Sequence, residues 1–384
     1  MSRRFALTLL LIIVILGILI RVYHLTARSL WFDEAFSWRL IQFSWSEMLS
    51  RDAADVHPPL YYIFLKGWKY IFGSTLSSLR GFSVTLAGLT IASAYLFTNY
   101  AFRSRLAGIL GAALIALSGF QIQFAWEARM YTLGTALVFF SSYLLIKAIR
   151  HSLNPKISLA NKAFFWTLYT LFATATIYTH YYAFFTIAAH LVFVIGYLLV
   201  ITRARLGEIF QSQLFYFPLL SLFFALLLFL PWLPTFIDQN SRVQEAYWIP
   251  KIGGWTIPDT FYRMFWPTSL IPPHEGIIAI GIVLTPILLT TIIWGLLFWG
   301  IPYASSPKNN QLLSSPTDTS FPLDACWFTA LAGLIPFILS ITASFVGTSL
   351  YQDRFLIFSH LFILVSLSVL IASIKRTSTR TIFI

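Results

Sequence analysis

The chain has 384 residues, of which 58% are hydrophobic, 18% aromatic and only 10% charged. Soluble globular domains carry about 25% charged residues, so this composition excludes a soluble protein and predicts an all-α polytopic membrane protein. The formal net charge of +12 does not indicate a nucleic-acid partner, because Lys and Arg lie in short clusters between apolar segments, as topology signals do.

Apolar runs predict ten membrane-spanning helices, or eleven if a shorter segment at 57–73 also crosses. The first span is expected to be retained, since no small-residue cleavage site follows it. Lys66 and Lys69 argue against burial of 57–73, which we expect to lie along the outer membrane surface. The ten predicted spans are 5–23, 78–101, 105–121, 130–149, 162–179, 184–202, 212–234, 276–300, 326–347 and 354–374.

The distribution of charge supports a topology in which 57–73 does not cross and both termini are cytoplasmic. The cytoplasmic side then holds 14 of the 26 basic residues and three acids, and the outer side holds 12 basic and 11 acidic residues. This asymmetry is the positive-inside pattern, and it would largely vanish if 57–73 crossed. We therefore predict a multi-pass protein of the plasma or inner membrane, with its chemistry in extracytoplasmic loops.

The spans and loops are expected to form one domain, 1–384. Its first outer loop, 22–77, is the predicted catalytic loop, and a second long outer loop, 235–275, contains a possible interfacial helix at 257–266. The inner loop 303–325 is rich in Ser, Pro and Asn and is expected to be a flexible tether. The chain has no evident internal repeat, which weighs against transporters built from inverted halves.

Two adjacent carboxylates after the first span are the best candidates for a reactive centre. Only 14 residues of the chain are acidic, and Asp33 and Glu34 stand side by side within the aromatic stretch LWFDEAFSW at 30–38. This position is where the first helix would emerge at the outer membrane surface. A solvated surface pair is the alternative interpretation.

Five motifs in order resemble the membrane-embedded C superfamily of glycosyltransferases. The resemblance is to family 39 and its relatives, the protein O-mannosyltransferases and lipid A aminoarabinose transferases, and it extends over nearly the whole chain. The motifs are LWFDEAFSW (30–38), HPPLYY (57–62), EARMY (127–131), YTHYY (178–182) and DRFL (353–356).

The resemblance implies a GT-C-type helical bundle with interfacial helices in the first outer loop. It also implies an inverting transferase that moves a sugar from a polyprenyl-phosphate or dolichyl-phosphate donor to a lipid, glycan or protein acceptor on the outer face. Membrane lipids are further expected partners, and nucleic acid is not. Two positions depart from the family: Phe355 replaces a tyrosine of many relatives, and Val56-His57 replaces a Glu-Lys pair of some.

Transfer with inversion needs a base for the acceptor's proton and cations for the departing phosphate. Asp33 is the expected base, whereas Glu34, about 100° away on a short helix, more plausibly pairs with a cation or holds the loop. Cationic candidates for the phosphate are His57, Arg129 and Arg354, with Lys66 and Lys69 behind them. The full set of expected donor-contacting residues is His57, Glu127, Arg129, Tyr131, His180, Tyr181 and Arg354.

A purely structural role is the alternative interpretation for several of these residues. Glu127–Arg129 and Asp353–Arg354 could be local ion pairs, His57 could cap a helix, and His180 with Tyr181 could belong to an interfacial aromatic belt. His190 and His360 lie within predicted spans and are expected to be core residues.

No cofactor is evident, although a divalent cation is possible. His274 and Glu275 could contribute to a cation site, but no close ligand spacing supports one. The single cysteine, Cys326, excludes a cysteine-based metal cluster and an intramolecular disulfide. Two other functions are weighed against the transferase: a lipid or sugar transporter or flippase, and a non-catalytic lipid-binding relative.

Overall fold

The computed structural model describes residues 1–245, 249–266, 274–297 and 321–374. These residues form helices and loops, with no β-strand in the described ranges. A helical bundle is the expected outcome for an apolar chain in lipid, because a helix bonds every backbone N–H and C=O group internally. The predicted all-α, multi-pass architecture is confirmed.

Three short helices separate the first helix from the long helices of the bundle. They are α2 (Phe32–Leu40), α3 (Trp45–Ala53) and α4 (Leu60–Phe72), and they follow α1 (Arg3–Val22). α4 has 13 residues and therefore spans about 20 Å, less than the roughly 30 Å of a bilayer core. Its length agrees with the prediction that 57–73 is not a span.

The remaining helices form the body of the molecule. They are α5 (Leu76–Phe102), α6 (Arg105–Leu117), α7 (Gly119–Ala125), α8 (Tyr131–Leu153), α9 (Leu159–Ile177), α10 (Ala183–Ile201), α11 (Leu206–Gln211), α12 (Gln213–Phe229), α13 (Leu233–Glu245), α14 (Thr256–Phe265), α15 (Ile277–Gly295), α16 (Leu323–Val346) and α17 (Ile357–Ser373).

A helix lies at each of the ten predicted spans. Within the described ranges, eight helical segments are long and apolar enough to cross a membrane, and α6 with α7, bent by 59°, adds a ninth if the pair is one span. The tenth predicted span corresponds to α9, a helix of 19 residues that is not among these segments and carries Asn161 and Lys162 near its start. Most of the predicted tether 303–325 lies outside the described residues.

The second long outer loop differs from its prediction. Residues 233–245 continue α12 through a short 3-10 turn as α13, and α14 occupies the predicted interfacial position. Pro231 and Pro234 do not interrupt this continuation, because each lies in the first turn of a helical segment, where a missing N–H costs little. Both helices lie near the site described below.

Polar side chains gather at the two ends of the bundle. At one end, Arg150 pairs with Asp324 at 3.1 Å and donates to the carbonyl groups of Tyr100 and Ala101. The loops that carry the five motifs meet at the other end. This separation is consistent with the predicted topology, in which one side of the membrane is rich in basic residues and the candidate site lies in the loops of the other side.

The bend between α6 and α7 positions one of these motifs. Arg21, which is buried, donates to the carbonyl groups of Ile115 at 3.1 Å and Ala116 at 2.8 Å, which the end of α6 leaves without helical partners. Trp126 then donates from Nε1 to the carbonyl of Arg21 at 2.8 Å. These bonds fix the chain just before Glu127.

Close packing of α8 against α17 positions another motif. A Cβ atom added at Gly134 would lie 2.6 Å from the ring of Phe358, so only glycine allows this approach. Elsewhere in the core, the ring of Phe97 contacts those of Phe139 and Phe362, with centroid separations of 5.8 Å and 5.9 Å. The 3-10 turn Asp353–Leu356 precedes α17, and its Arg354 lies 3.4 Å from Asp33 at the start of α2.

Candidate active site

Asp33 lies in the first turn of α2, and its carboxylate is partly accessible. The side chain is 23% exposed, and Oδ2 is 3.4 Å from Nη1 of Arg354. A carboxylate in the first turn also interacts favourably with the helix dipole. Asp33 thus stands beside a cation, with part of its carboxylate surface open.

Glu34 faces away from Asp33 and is completely buried. Arg80 donates to both of its oxygens, from Nε at 2.8 Å and from Nη2 at 2.6 Å, and the N–H of Ala128 donates at 2.9 Å. Because both carboxylate oxygens have charged or backbone partners, the geometry suits the pairing role considered for Glu34 rather than proton transfer.

Arg80 was not singled out from the sequence. Besides Glu34, it donates to the carbonyl groups of Leu25 and Arg28 at 2.8 Å and of Ser29 at 3.0 Å. It therefore ties the loop after α1 to the start of α5. The available signal was an arginine in the first turn of an apolar span, which is costly to leave unpaired.

Arg129 is buried at the centre of the site, with 2% exposure. Its Nη1 donates to the hydroxyl of Tyr62 at 2.9 Å, to Oγ of Ser37 at 3.4 Å and to the carbonyl of Asp33 at 3.3 Å. Nη2 lies 3.1 Å from Nε2 of His57. Nε is buried and has no hydrogen-bond partner among the described residues.

Both nitrogens of the His57 ring are engaged. Nδ1 is 2.8 Å from Oδ2 of Asp55, a residue that the sequence did not point to, and Nε2 faces Arg129. Burial and the nearby Arg129 lower the pKa of His57. The prolines that follow, Pro58 and Pro59, restrict the backbone and so help to aim the ring.

Glu127 presents a buried carboxyl group to the same region. Its Oε2 has no hydrogen-bond partner in the described part of the chain. Burial raises the pKa of Glu127 to about 8, although the charge of Arg354 opposes the rise. Ser83 donates to the backbone carbonyl of Glu127 at 2.7 Å and fixes its position. At neutral pH this carboxyl group is mainly protonated.

The turn between α9 and α10 contributes His180 and its neighbours. Nδ1 of His180 accepts from the N–H of Tyr182 at 3.1 Å, so the neutral ring carries its hydrogen on Nε2. That nitrogen is buried and has no partner within the described ranges, and burial lowers the pKa of His180 well below its ordinary value. Tyr131, also buried, lies 6.2 Å away between ring centroids.

Tyr181 links this turn to α13. Its hydroxyl accepts from Nε1 of Trp232 at 2.9 Å and donates to Oε1 of Gln239. Gln239 in turn donates to the carbonyl groups of Asp52 at 3.0 Å and His57 at 3.2 Å. The hydroxyl of Tyr181 therefore holds α13 in place, and its expected contact with the donor stays a prediction.

A mainly apolar cavity of about 350 Å³ opens beside His57 and His180. It lies between α10 and α13 and is closed by the segments around Pro58 and Phe355. Its lining residues are Val56, His57, Pro58, His180, Tyr181, Tyr182, Phe184, Phe185, Phe236, Gln239, Asn240, Val243, Leu350 and Phe355.

Lys66 and Lys69 lie at the far end of α2 from Asp33. Both donate to the carbonyl of Ile41, at 3.3 Å and 3.2 Å, and Lys69 also donates to Oε1 of Gln42 at 2.7 Å. Cations at a helix C-terminus satisfy its free carbonyl groups. The structure thus places both lysines as caps of α2 and apart from the other phosphate candidates.

The other candidate histidines lie outside this group. His190 contacts Ser142 and Tyr169 within the bundle, and Nδ1 of His360 contacts Gln121. His274 pairs with Asp259 at 2.8 Å. Over the described residues, no three His, Cys, Asp or Glu side chains are close enough to share a metal ion.

The whole chain resembles membrane transferases of known structure. The oligosaccharyltransferase AglB from Archaeoglobus fulgidus, solved with an inhibitory peptide and a dolichol-phosphate, aligns with 99% of this chain at 13% identity and a TM-score of 0.51. ArnT from Cupriavidus metallidurans, solved with undecaprenyl phosphate, aligns with 94% at 13% identity and a TM-score of 0.53.

A further structure of the Archaeoglobus fulgidus oligosaccharyltransferase contains Zn and sulfate and aligns with 98% of this chain at 14% identity and a TM-score of 0.50. The chain spans 53% of the length of AglB and 59% of that of ArnT. No protein-family model and no curated protein sequence matches it. The chain has the fold of the membrane-embedded GT-C glycosyltransferases.

Proposed function

We propose that this protein is an inverting glycosyltransferase that moves a sugar from a polyprenyl-phosphate donor to an acceptor on the extracytoplasmic face of the cell membrane. The observation that carries the proposal is the position of Asp33. Its partly accessible carboxylate stands 3.4 Å from Arg354, in the same group as the buried Arg129. A partly accessible carboxylate and two guanidinium groups are thus together at one end of the bundle.

Asp33 acts as the base in this proposal. The acceptor's nucleophilic atom attacks C1 of the sugar and its proton passes to the carboxylate of Asp33. The bond from C1 to the phosphate oxygen breaks, and its electron pair remains on the polyprenyl phosphate. General base catalysis of this kind typically contributes about 10²–10⁴-fold to the rate.

The phosphate is held by groups whose hydrogen-bonding capacity is incompletely used. Nε of Arg129 and Nε2 of His180 are buried donors without partners in the described part of the chain. Buried donors of this kind are costly unless a ligand satisfies them. Arg354 adds charge beside Asp33, and the protonated carboxyl of Glu127 can donate to an oxygen of the sugar or phosphate.

The cavity between α10 and α13 is the proposed site of the first isoprene units of the donor. Its walls include Phe184, Phe185, Phe236 and Val243, and His57 and His180 lie at its polar end. The neighbours solved with dolichol-phosphate and undecaprenyl phosphate support a lipid-phosphate ligand for this fold. An apolar tail beside neutral histidines and the guanidinium of Arg129, which contacts His57, matches the chemistry of such a lipid.

A divalent cation has no step in this mechanism. One neighbour contains Zn and sulfate, but the carboxylates here are differently engaged. Glu34 is paired with Arg80 at 2.6 Å and Asp33 with Arg354 at 3.4 Å, so the acidic residues of the motif do not form an oxygen ligand set for an ion. The guanidinium groups carry the charge of the leaving phosphate instead.

Asp33→Asn in membranes supplied with polyprenyl-phosphate sugars tests the proposal. We expect sugar transfer to fall by about a hundredfold or more, because the amide cannot accept the acceptor's proton. Glu47→Gln is the matched control, since Glu47 is an exposed acid of the same loop. Unchanged turnover in the Asp33 variant would show that Asp33 is not the general base.

Comparison of membranes with and without the protein identifies the donor. Mass spectrometry of the lipid fraction is expected to show an accumulated glycosylated polyprenyl phosphate when the protein is absent. If the protein is a transporter, the detergent-solubilised protein should show no sugar transfer. If it is a non-catalytic relative, it should bind the lipid without changing the lipid's sugar content. Either result would contradict the transferase.

A further inference from the structure

We propose that Asp55 is a positioning residue for the donor phosphate: it holds His57 as the neutral tautomer that accepts a hydrogen bond from Arg129, and so fixes the guanidinium of Arg129. The contacts are 2.8 Å from Asp55 Oδ2 to His57 Nδ1 and 3.1 Å from His57 Nε2 to Arg129 Nη2. This inference rests on the proposed function, because it assigns Arg129 to the donor phosphate.

The direction of both hydrogen bonds follows from chemistry. A guanidinium group can only donate, so His57 Nε2 must accept from Arg129. The ring is then neutral, and its one hydrogen is on Nδ1, which donates to the carboxylate of Asp55. The opposite tautomer would place an N–H against the guanidinium of Arg129 and leave both groups without an acceptor.

The backbone around Asp55 is fixed from α13. Arg242 donates from Nη2 to the carbonyl groups of Ala53 at 2.7 Å and Asp55 at 3.2 Å, and Gln239 donates to the carbonyl of His57 at 3.2 Å. The side chain of Asp55 is 27% exposed, so it does not fill the core. Its removal is expected to change hydrogen bonding at His57 more than packing.

His57 contacts Arg129 at the edge of the guanidinium group that is expected to face the donor phosphate. Nη1 of Arg129 is occupied by Tyr62, Ser37 and the carbonyl of Asp33. Nη2 contacts His57, and Nε has no partner within the described ranges. Because Nε and Nη2 form one edge of a guanidinium, the bond to His57 orients the edge that is open to an oxyanion.

Protonation of His57 would abolish this arrangement, because Nε2 would become a donor facing Arg129. Burial and Arg129 lower the pKa of His57, whereas Asp55 and Asp33 partly raise it. The ring is therefore neutral at pH 7 and becomes charged only as the pH falls below its ordinary pKa. The titratable or charged groups that surround His57 and Arg129 are Asp33, Asp52, Asp55, Tyr61, Tyr62, Glu127, Tyr131, His180 and Arg354.

Histidine NMR in lipid nanodiscs tests the tautomer without any transfer assay. The chain has seven histidines, and His57→Gln identifies the signal of His57. We expect the wild type to show the Nδ1–H tautomer at pH 7 with the proton shift of a hydrogen bond to a carboxylate, and Asp55→Ala to lose that shift. Asp55→Asn should move the titration midpoint to lower pH, because the charge that raises it is gone, while Glu47→Gln should leave it unchanged. The Nε2–H tautomer in the wild type would overturn the proposal.

Transfer kinetics test whether Asp55 acts through His57. Asp55→Ala is expected to lower turnover about tenfold in the wild-type background, the loss typical of a hydrogen bond to a charged group. In the His57→Gln background the same change should have less than a twofold effect. An equal loss in both backgrounds would show that Asp55 does not act through His57. If the wild type has the expected tautomer but transfers no sugar, the proposed function fails and the tautomer assignment stands.

Discussion

Asp33 and Glu34 are adjacent in the chain but lie in different surroundings, because successive residues of a helix point about 100° apart. Asp33 is 23% exposed beside Arg354, whereas Glu34 is fully buried with both oxygens bonded to Arg80. Removal of one partner from such a buried ion pair typically costs about 3–5 kcal/mol. Loss of activity in a Glu34 variant would therefore reflect loss of the fold. Of the two residues, only a variant of Asp33 can test the chemical role without a large loss of stability.

Asp52 is a second residue whose burial has a measurable consequence. It lies in the last turn of α3, is 0% exposed, and neither carboxylate oxygen has a hydrogen-bond partner among the described residues. Burial, with a smaller contribution from Asp55, raises the pKa of Asp52 from 3.8 to about 8. Since the unfolded chain releases this proton at lower pH, Asp52 destabilises the fold increasingly as the pH rises from about 4 to about 8.

We predict that Asp52→Asn stabilises the protein in a pH-dependent manner. The difference in Tm between the variant and the wild type should grow from pH 5 to pH 8 and stay constant above that, because the amide has no proton to lose. Thermal unfolding in detergent across this range measures it, with Glu47→Gln as the exposed control. A difference that does not vary with pH would show that Asp52 is already ionised in the folded protein.

Several residues of the site could be predicted because membrane chemistry limits where charge is tolerated. Asp33, Arg129 and Arg354 lie in motifs at the ends of apolar segments, and the structure brings them together. Asp55 and Arg80 were missed, since their partners are 2 and 46 positions away and depend on how the loop folds back. Sequence spacing carries no signal for such contacts.

At the scale of elements, α13 joins the loop 22–77 to the apolar cavity. Arg242 and Gln239 donate to carbonyl groups between Asp52 and His57, and Val243 lines the cavity on the same helix. The sequence predicted a long outer loop over 235–275 at this position. The helix forms because Pro234 occupies its first turn and because α13 docks on α3, a tertiary contact that local propensity does not reveal.

We predict that Val243→Trp weakens the use of long-chain donors. The indole would occupy part of a cavity of about 350 Å³, so the KM for a polyprenyl-phosphate sugar should rise several-fold while kcat changes less. A donor with a single isoprene unit should be affected much less. Ile237→Trp is the control, since Ile237 lies on the same helix and is 57% exposed. Equal effects on both donors would place the lipid chain elsewhere.

At the scale of the whole molecule, the two ends of the bundle differ in their charged residues. This difference predicts which end faces outward in the membrane. Arg105 and Arg150 lie at the end that contains Met1 and Asp324, and the five motifs lie at the other. Lys and Arg near span ends are retained on the cytoplasmic side. The order of apolar runs could therefore be predicted, and the side of each loop stays a prediction. The bend between α6 and α7 depends on contacts from Arg21 that the run of apolar residues does not show.

We predict that cysteines placed at the two ends react from opposite sides of the membrane. Glu47 has a side chain that is 46% exposed at the site end, and Lys156 is exposed at the other end, so both positions are accessible to a reagent. Cys326, which is buried, is first replaced by Ala. Glu47→Cys should then react with a membrane-impermeant maleimide added to intact cells, and Lys156→Cys only in inverted vesicles. The reverse pattern would place Asp33 in the cytoplasm, and with it any sugar transfer, which would contradict an extracytoplasmic acceptor.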